Sequence, residues 1–235
     1  MLICNLKFDL RIYVVVTCLD PLRIYVYNEG LARFCTDEFN FNNLENKFAH
    51  LTNYSVNKKN AKFIPNTNSD CDDSGNKWSL SALNRYIEKM GIDLRLLWSR
   101  IYDEIIKSII SVEPLFYSSV KKLSSNRTNC YELFGYDILI DSNLKPWIME
   151  VNLTPSLLTE SPLDFVLKNN LIRDIMNLIG VFRFDRKKEF IQKSKVRSSV
   201  SKIKQGKNNQ AANKCELPNY NSQYSHNSIY AVALK

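Results

Sequence analysis

The sequence has few glycines and lacks the glycine-rich loops by which many proteins bind phosphate groups. Only 6 of its 235 residues are glycine, and they are too dispersed to form a GxxxxGK[ST] or a GxGxxG motif. The GxSxG elbow and the HExxH zinc motif are absent as well. A Walker or Rossmann route to nucleotide phosphates is therefore excluded.

The cysteines and the apolar segments set further limits. The 6 cysteines are scattered without a CxxC pair, which is typical of reduced thiols in an intracellular protein and gives no zinc spacing. No apolar run approaches the eighteen or so residues of a membrane span, and "MLICNLKFDLR" lacks the features of a signal peptide. We expect a protein of the cytoplasm with no membrane partner.

The positive charge is concentrated near the C-terminal end. The formal net charge is +8, and Phe182 to Cys215 alone contain 11 Lys or Arg against 2 Asp or Glu. Residues 1–181 are almost neutral, with 45% hydrophobic residues overall available for a core. The composition predicts a folded domain over 1–181 and a basic, largely disordered tail over 182–235.

Apolar, β-branched segments indicate a strand-rich domain. Asp9–Thr17 and Pro21–Phe34 flank the turn "CLDP" and predict a hairpin, and a second strand pair flanks the turn at Asp141–Pro146. Pro146 suits the first residue of a strand.

Helical patterns lie between and after the strands. One helix is predicted from Ser79 or Ser81 to about Met90, and a second from Asp93 to Pro114 with apolar residues at helical spacing. A third runs from Pro162 to Gly180. Sheet and helices together predict an α/β or α+β domain with a mixed or antiparallel sheet.

Two segments show no such pattern. Asn57–Lys77 is rich in Asn, Asp and Ser and predicts a mobile loop. From about Lys187 onward the chain is polar and predicts disorder, with a nascent helix near Arg186–Lys195.

Three polar residues stand out in the second strand pair. If its strands pair across the turn, Asp137 lies near Glu150, and Asn152 shares the face of Glu150 because the side-chain period is two. Such oxygen donors suit Mg²⁺. Spacing alone equally allows a strand-edge aspartate and a paired surface glutamate.

Polar side chains also alternate along the first strand. Lys7, Asp9 and Arg11 share one face, where they could neutralise one another in solvent or bind a polyphosphate. Arg33 in "EGLARF" and the cluster "HLTNYS" add further polar groups. The lone His50 of that cluster is typical of a structural histidine.

Four motifs in this order resemble the tubulin tyrosine ligase-like family. They are "KFDLRIYVVVTCLDPLRIYVYNEGLARF", "FAHLTNYSVNK", "KWSL" and "YELFGYDILIDSNLKPWIMEVNLTPSL", and they cover most of Asn5–Val181. The resemblance is closer to the polyglutamylase branch than to tyrosine ligase. It implies a partial ATP-grasp fold and an ATP-dependent ligase that adds amino acids to tubulin tails.

The resemblance also implies roles for individual residues. Magnesium ligands fall on Asp137, Glu150 and Asn152. Nucleotide contacts fall on Lys7, Asp9, Thr52 and Asn53. Catalytic, substrate-holding arginines fall on Arg11 and Arg33, and further contacts to the amino acid fall on Tyr54, Ser55, Lys77 and Lys168.

The implied reaction uses ATP and Mg²⁺. ATP phosphorylates a glutamate carboxylate of the acceptor tail, and the amine of free L-glutamate attacks the acyl phosphate. Ligation of glycine or tyrosine on the same fold, and an inactive microtubule-binding remnant, are the alternatives. In either case the partner is tubulin at the cytoskeleton, including cilia. The basic tail would dock on microtubules; it lacks a nucleic-acid-binding pattern, so nucleic acid is an unlikely partner.

In such enzymes a further lobe with phosphate-binding lysines precedes the first motif. Because Met1 stands six residues before Lys7, we expect the sequence to be a fragment or a truncated product that lacks half of the nucleotide cleft.

Overall fold

The computed structural model describes residues 1–68, 71–123, 131–180, 191 and 229–233. The chain divides into two units, one of Met1–Ile179 with Asn227–Lys235 and one of Gly180–His226. Most of the predicted basic tail lies outside the described residues. Ile191, within the predicted nascent helix, is helical.

An antiparallel sheet is the centre of the first unit. Five strands follow the order β3-β2-β1-β4-β5. The sixth strand, β6, pairs with Arg23–Tyr27 of β2, whereas β3 pairs with Leu31–Arg33 of the same strand. In chain order the strands are β1 (Phe8–Leu19), β2 (Leu22–Phe34), β3 (Lys77–Ser79), β4 (Glu132–Ile140), β5 (Pro146–Asn152) and β6 (Ile229–Ala233). Both predicted strand pairs are present, and Pro146 begins β5 as expected.

Five helices accompany the sheet in the described parts of the chain. They are α1 (Lys47–His50), α2 (Tyr54–Asn57), α3 (Leu80–Lys89), α4 (Leu94–Leu123) and α5 (Pro162–Ile179). Ser79 caps α3 by accepting a hydrogen bond from the Ala82 amide, as one of the two predicted caps. Gly180 follows α5 with a φ of 69°, which is the left-handed conformation that suits glycine after a helix. No helix within these ranges is long and apolar enough to cross a membrane.

The two faces of the sheet differ in what covers them. Alternate residues of β1, such as Leu10, Ile12 and Val14, pack against α3 and α4 in the larger hydrophobic core. On the other face Tyr13 and Val15 pack under α5 in a smaller core. The part of the second face that α5 does not cover carries polar side chains, so this face has an apolar half and a polar half.

Two sequence expectations differ from the structure. The helix that begins after Asp93 does not end at Pro114, because α4 continues to Leu123 with the proline inside it. Apolar packing continues beyond the proline, where the Phe116 ring lies 6.3 Å from that of Phe134. In addition, the tail contributes strand β6, where the sequence predicted disorder.

Candidate functional site

A cavity of about 210 Å³ opens on the polar half of the second face. Strands β1, β2, β4 and β5 and the segment around His50 enclose it. Its lining residues are Lys7, Asp9, Arg33, His50, Leu51, Thr52, Asn53, Asp137, Leu139, Met149 and Glu150. Seven of the residues selected from the sequence therefore lie around one space.

Arg33 joins the two buried carboxylates of this cavity. Its guanidinium donates to both oxygens of Asp9, with Nε 2.8 Å from Oδ1 and Nη2 2.5 Å from Oδ2. The same Nη2 lies 2.7 Å from Oδ2 of Asp137. Burial lowers the pKa of Arg33, but the hydrogen bond and charge of Asp9, with those of Asp137, outweigh it and raise the pKa above its ordinary value. Arg33 is thus a fixed cation between two anions.

Arg11 makes the second bidentate pair. Because β1 pairs with β4, Arg11 stands opposite Asp137 and donates to both of its oxygens, at 2.5 Å and 3.0 Å. Burial raises the pKa of Asp137, but the Arg11 hydrogen bond and the Arg33 charge outweigh it, so the pKa lies below its usual range. The alternating row in "KFDLR" is therefore not neutralised in solvent: Asp9 and Arg11 form pairs with other strands.

A β-bulge sets the position of Glu150. Counted from the turn, regular pairing would place Asp137 opposite Met149, as Ile138 pairs with Ile148. The register shifts between Asp137 and Ile138, and Asp137 pairs with Glu150, as the sequence predicted. Asn152 donates to Oε1 of Glu150 at 3.0 Å. The bulge itself was not predicted, although bulges of this kind often redirect side chains at functional sites.

The oxygen atoms here meet the chemical requirements of a magnesium site. Asp137 and Glu150 offer two carboxylates, and Asn152 offers an amide oxygen. The described residues contain no group of three or more His, Cys, Asp or Glu that could hold a metal ion. Since the arginines already bond Asp137, the more exposed Glu150 has the freer oxygens.

The "HLTNYS" segment is fixed to this site by side-chain bonds. Thr52 donates from Oγ1 to Oδ2 of Asp9 at 2.7 Å, and Lys7 donates to the His50 carbonyl oxygen at 2.8 Å. The Nε2 of His50 lies 2.9 Å from the Asn43 carbonyl oxygen, which fits the structural reading of this histidine. Asn53 lines the cavity beside Thr52.

Three of the remaining predicted residues, Tyr54, Lys77 and Lys168, lie in a second cluster. Lys77 on β3 and Lys168 on α5 are both buried and share the carboxylate of Asp164. The Lys77 ammonium lies 4.1 Å from the centre of the Tyr54 ring, within cation–π range. Ser55 is exposed on α2 and lines neither group.

Sequence reasoning missed two residues around these clusters. Asp164 was not selected, although its spacing of four from Lys168 on one helix is a signal for an ion pair. Gly135 was not selected either. A Cβ at this position would lie 2.7 Å from the Pro155 side chain and 3.4 Å from Cδ of Arg11, so only glycine leaves room for both.

These observations define a class of protein: an α+β domain whose sheet presents buried carboxylates, fixed cations and oxygen donors around one cavity. The family model for the tubulin-tyrosine ligase family matches residues 1–189. The chain therefore belongs to the tubulin-tyrosine ligase family, and the predicted ATP-grasp fold class is confirmed.

Similar proteins include several glutamylases. Human tubulin polyglutamylase TTLL5 is 47% identical over 182 residues, which cover 77% of this chain and 14% of the relative. Human tubulin monoglutamylase TTLL4 is 49% identical over 181 residues, covering 76% and 15%. The tubulin polyglutamylase ttll6 of Danio rerio is 38% identical over 218 residues, covering 90% and 27%. The chain thus spans about a seventh of the two human relatives.

Proposed function

We propose that this chain carries the nucleotide- and metal-binding face of an ATP-dependent tubulin polyglutamylase. Such an enzyme joins free L-glutamate to glutamate side chains of tubulin tails through an acyl phosphate. The observation that carries the proposal is the single cavity that unites Asp9, Arg33, Thr52, Asp137 and Glu150. The similarity to glutamylases supports glutamate as the amino acid, and two of the three relatives named above are polyglutamylases.

The metal belongs at the β4–β5 end of the cavity in this proposal. Glu150, Asp137 and Asn152 hold Mg²⁺, which supplies charge neutralisation for the phosphate oxygens during transfer. Arg11 and Arg33 keep the Asp137 carboxylate ionised and oriented through three hydrogen-bonding contacts. The same arginines provide the positive charge needed when phosphate and carboxylate groups approach each other.

The nucleotide and the amino acid take different sides of this face. Lys7, Asp9, Thr52 and Asn53 line the cavity and contact ATP. Lys77, Lys168 and Tyr54 receive the free amino acid, because the two buried ammonium groups can bind its carboxylate, whereas the exposed Ser55 lies outside this cluster.

In this proposal the basic segment docks on microtubules. Phe182 to Cys215 contain 11 Lys or Arg against 2 Asp or Glu, a charge that favours the acidic tubulin tails and a cytoskeletal location. Removal of this segment should weaken microtubule co-sedimentation most strongly at low salt, because such attraction is screened by ions. Unchanged co-sedimentation would contradict the docking role.

A transfer assay tests the catalytic proposal. The chain, and a chimaera in which the part of this chain that aligns with human TTLL5 replaces the matching segment of that protein, are given ATP, Mg²⁺, tubulin and labelled glutamate, glycine or tyrosine. We expect ATP-dependent incorporation of glutamate into tubulin tails, and chains of several glutamates by mass spectrometry. Incorporation of glycine or tyrosine instead would change the assigned amino acid, and a chimaera without any transfer would overturn the enzyme assignment.

Glu150→Gln tests the metal assignment, with Glu132→Gln as its control. It keeps the shape of the side chain but removes a proposed metal-binding charge, so transfer should fall by about a hundredfold or more. Glu132→Gln changes an exposed glutamate on the adjoining strand β4 and should retain transfer. Equal activity of the two variants would refute the metal assignment.

A further inference from the structure

A buried carboxylate stands between the two lysines of the second cluster. Asp164 is 1% exposed and lies in the first turn of α5. Its Oδ2 accepts from Lys77 Nζ at 2.6 Å and from Ser161 Oγ at 3.1 Å, and its Oδ1 lies 3.3 Å from Lys168 Nζ. One carboxylate therefore fixes cations from β3 and from α5.

The cluster keeps a surplus of positive charge despite its burial. Two ammonium groups share one carboxylate, which leaves one net positive charge among residues that are at most 8% exposed. Burial, with the nearby charges of Lys77 and Arg11 acting in the same direction, lowers the pKa of Lys168, although Asp164 partly offsets this effect. Such a surplus is costly without a further anion.

The lysines also have donor capacity beyond their protein partners. An ammonium group carries three N–H donors. In the described parts of the chain Lys77 donates one hydrogen bond, to Asp164, and faces the Tyr54 ring. Lys168 donates to the Leu158 carbonyl oxygen at 2.5 Å and contacts Asp164. Both groups are held in place with donors left for an anionic ligand.

We infer that Asp164 is a positioning residue, which holds Lys77 and Lys168 together beside Tyr54 so that they bind the carboxylate of the free amino acid. This inference rests on the proposed function for the identity of the ligand. Without the Asp164 charge the two ammonium groups repel each other, and the subsite loses its geometry. Asp164 itself does not contact the reacting atoms.

The test measures binding, independently of transfer. In the full chain labelled with ¹⁵N-lysine, the ammonium signals of Lys77 and Lys168 are assigned from Lys77→Met and Lys168→Met and followed during titration with L-glutamate. We expect both signals to shift in the wild type. Asp164→Asn should weaken L-glutamate binding at least tenfold and leave the affinity for a fluorescent ATP analogue unchanged. Asp174→Asn on the same helix, whose carboxylate pairs with Arg173, should bind L-glutamate like the wild type.

Lys168→Met keeps the inference falsifiable if Asp164→Asn does not fold. This variant leaves Asp164 paired with Lys77 and removes the surplus charge, so it should fold and still lose L-glutamate affinity. A purely structural cluster would instead leave the affinity unchanged in that variant.

The outcomes separate this inference from the proposed function. Wild-type affinity in Asp164→Asn or Lys168→Met, or L-glutamate that shifts neither lysine signal, overturns the inference even where transfer is observed. Binding that depends on Asp164, in a protein that transfers no amino acid, supports the inference and contradicts only the proposed function.

Discussion

Two tyrosines of the sheet differ in whether their buried hydroxyl group has a hydrogen-bond partner. Tyr13 and Tyr136 are each at most 2% exposed, on opposite faces. The Tyr136 hydroxyl lies 2.8 Å from Ser108 Oγ, whereas the Tyr13 hydroxyl has no hydrogen-bond partner among the residues that the structure describes. A buried polar group without a partner costs free energy, whereas a paired one contributes about 1 kcal/mol.

The two corresponding Phe variants should therefore differ in sign. Tyr13→Phe removes an unpaired hydroxyl and should leave the free energy of unfolding unchanged or raise it by up to about 1 kcal/mol. Tyr136→Phe should lower it by about 0.5–1.5 kcal/mol because Ser108 loses a partner. Urea titrations followed by circular dichroism measure both, and a clear loss of stability in Tyr13→Phe would indicate a bound water or a partner for its hydroxyl.

A buried thiol and a buried phenol predict how the stability of the fold responds to alkaline pH. Burial raises the pKa of the Cys35 thiol to about 12 from an ordinary value of 9.0, and that of the Tyr13 hydroxyl to about 12 from 10.0. The folded state then keeps protons that the unfolded chain releases. The stabilisation is complete below about pH 9 and is lost as the pH rises towards 12.

Denaturant midpoints between pH 8 and 11.5 test this behaviour. We expect a constant midpoint up to about pH 8.5 and a fall above it. The fall should begin at a higher pH in Cys35→Ala. In Cys71→Ala it should begin at the same pH as in the wild type, since Cys71 is exposed. A Cys35→Ala curve parallel to the wild type would contradict the role given to this thiol.

At the scale of secondary-structure elements, the sequence predicted periodic features and missed features set by tertiary contacts. The alternation in β1 correctly separated Asp9 and Arg11 from Phe8 and Leu10, because a strand forces alternate residues to opposite faces. The bulge at Met149 leaves no comparable pattern, since it depends on how β4 and β5 fit together.

The N-terminus of α3 is a second feature that depends on tertiary contact. Glu29 on β2 accepts hydrogen bonds from the amides of Leu80 and Ser81 at 2.8 Å and 3.2 Å, and from Ser81 Oγ at 2.5 Å. A carboxylate at this end of a helix satisfies free amides and complements the helix dipole. Local sequence identified the Ser79 cap, but it could not identify an acceptor fifty residues away.

Replacement of this acceptor should therefore be costly. Glu29→Ala is expected to lower the free energy of unfolding by about 1–3 kcal/mol, because the amides of Gly30, Leu80 and Ser81 and the Ser81 hydroxyl lose this acceptor. Glu38→Ala, at an exposed loop position, should change it by less than about 0.5 kcal/mol. Similar unfolding free energies for the two variants would show that water replaces the carboxylate.

At the scale of the whole molecule, the candidate site connects segments that are far apart in the sequence. Strands β1, β2, β4 and β5 and the segment around Thr52 all contribute to one cavity. Folding must bring these segments together before the cavity exists, so a ligand of the cavity binds the folded state alone. Its binding free energy then adds to the stability of the entire sheet.

Addition of MgATP to the chain should consequently raise its unfolding temperature. At about one hundred times the dissociation constant, the expected stabilisation is about 2.7 kcal/mol. Excess EDTA should remove the metal-dependent part of this increase, and Glu150→Gln should lack that part from the start, while Glu132→Gln should respond like the wild type. Because Asp137 is already bonded to Arg11 and Arg33, the freer oxygens of Glu150 must carry much of the metal affinity. An ATP-induced increase that is the same with and without Mg²⁺ would show that the cavity binds nucleotide through its cations alone.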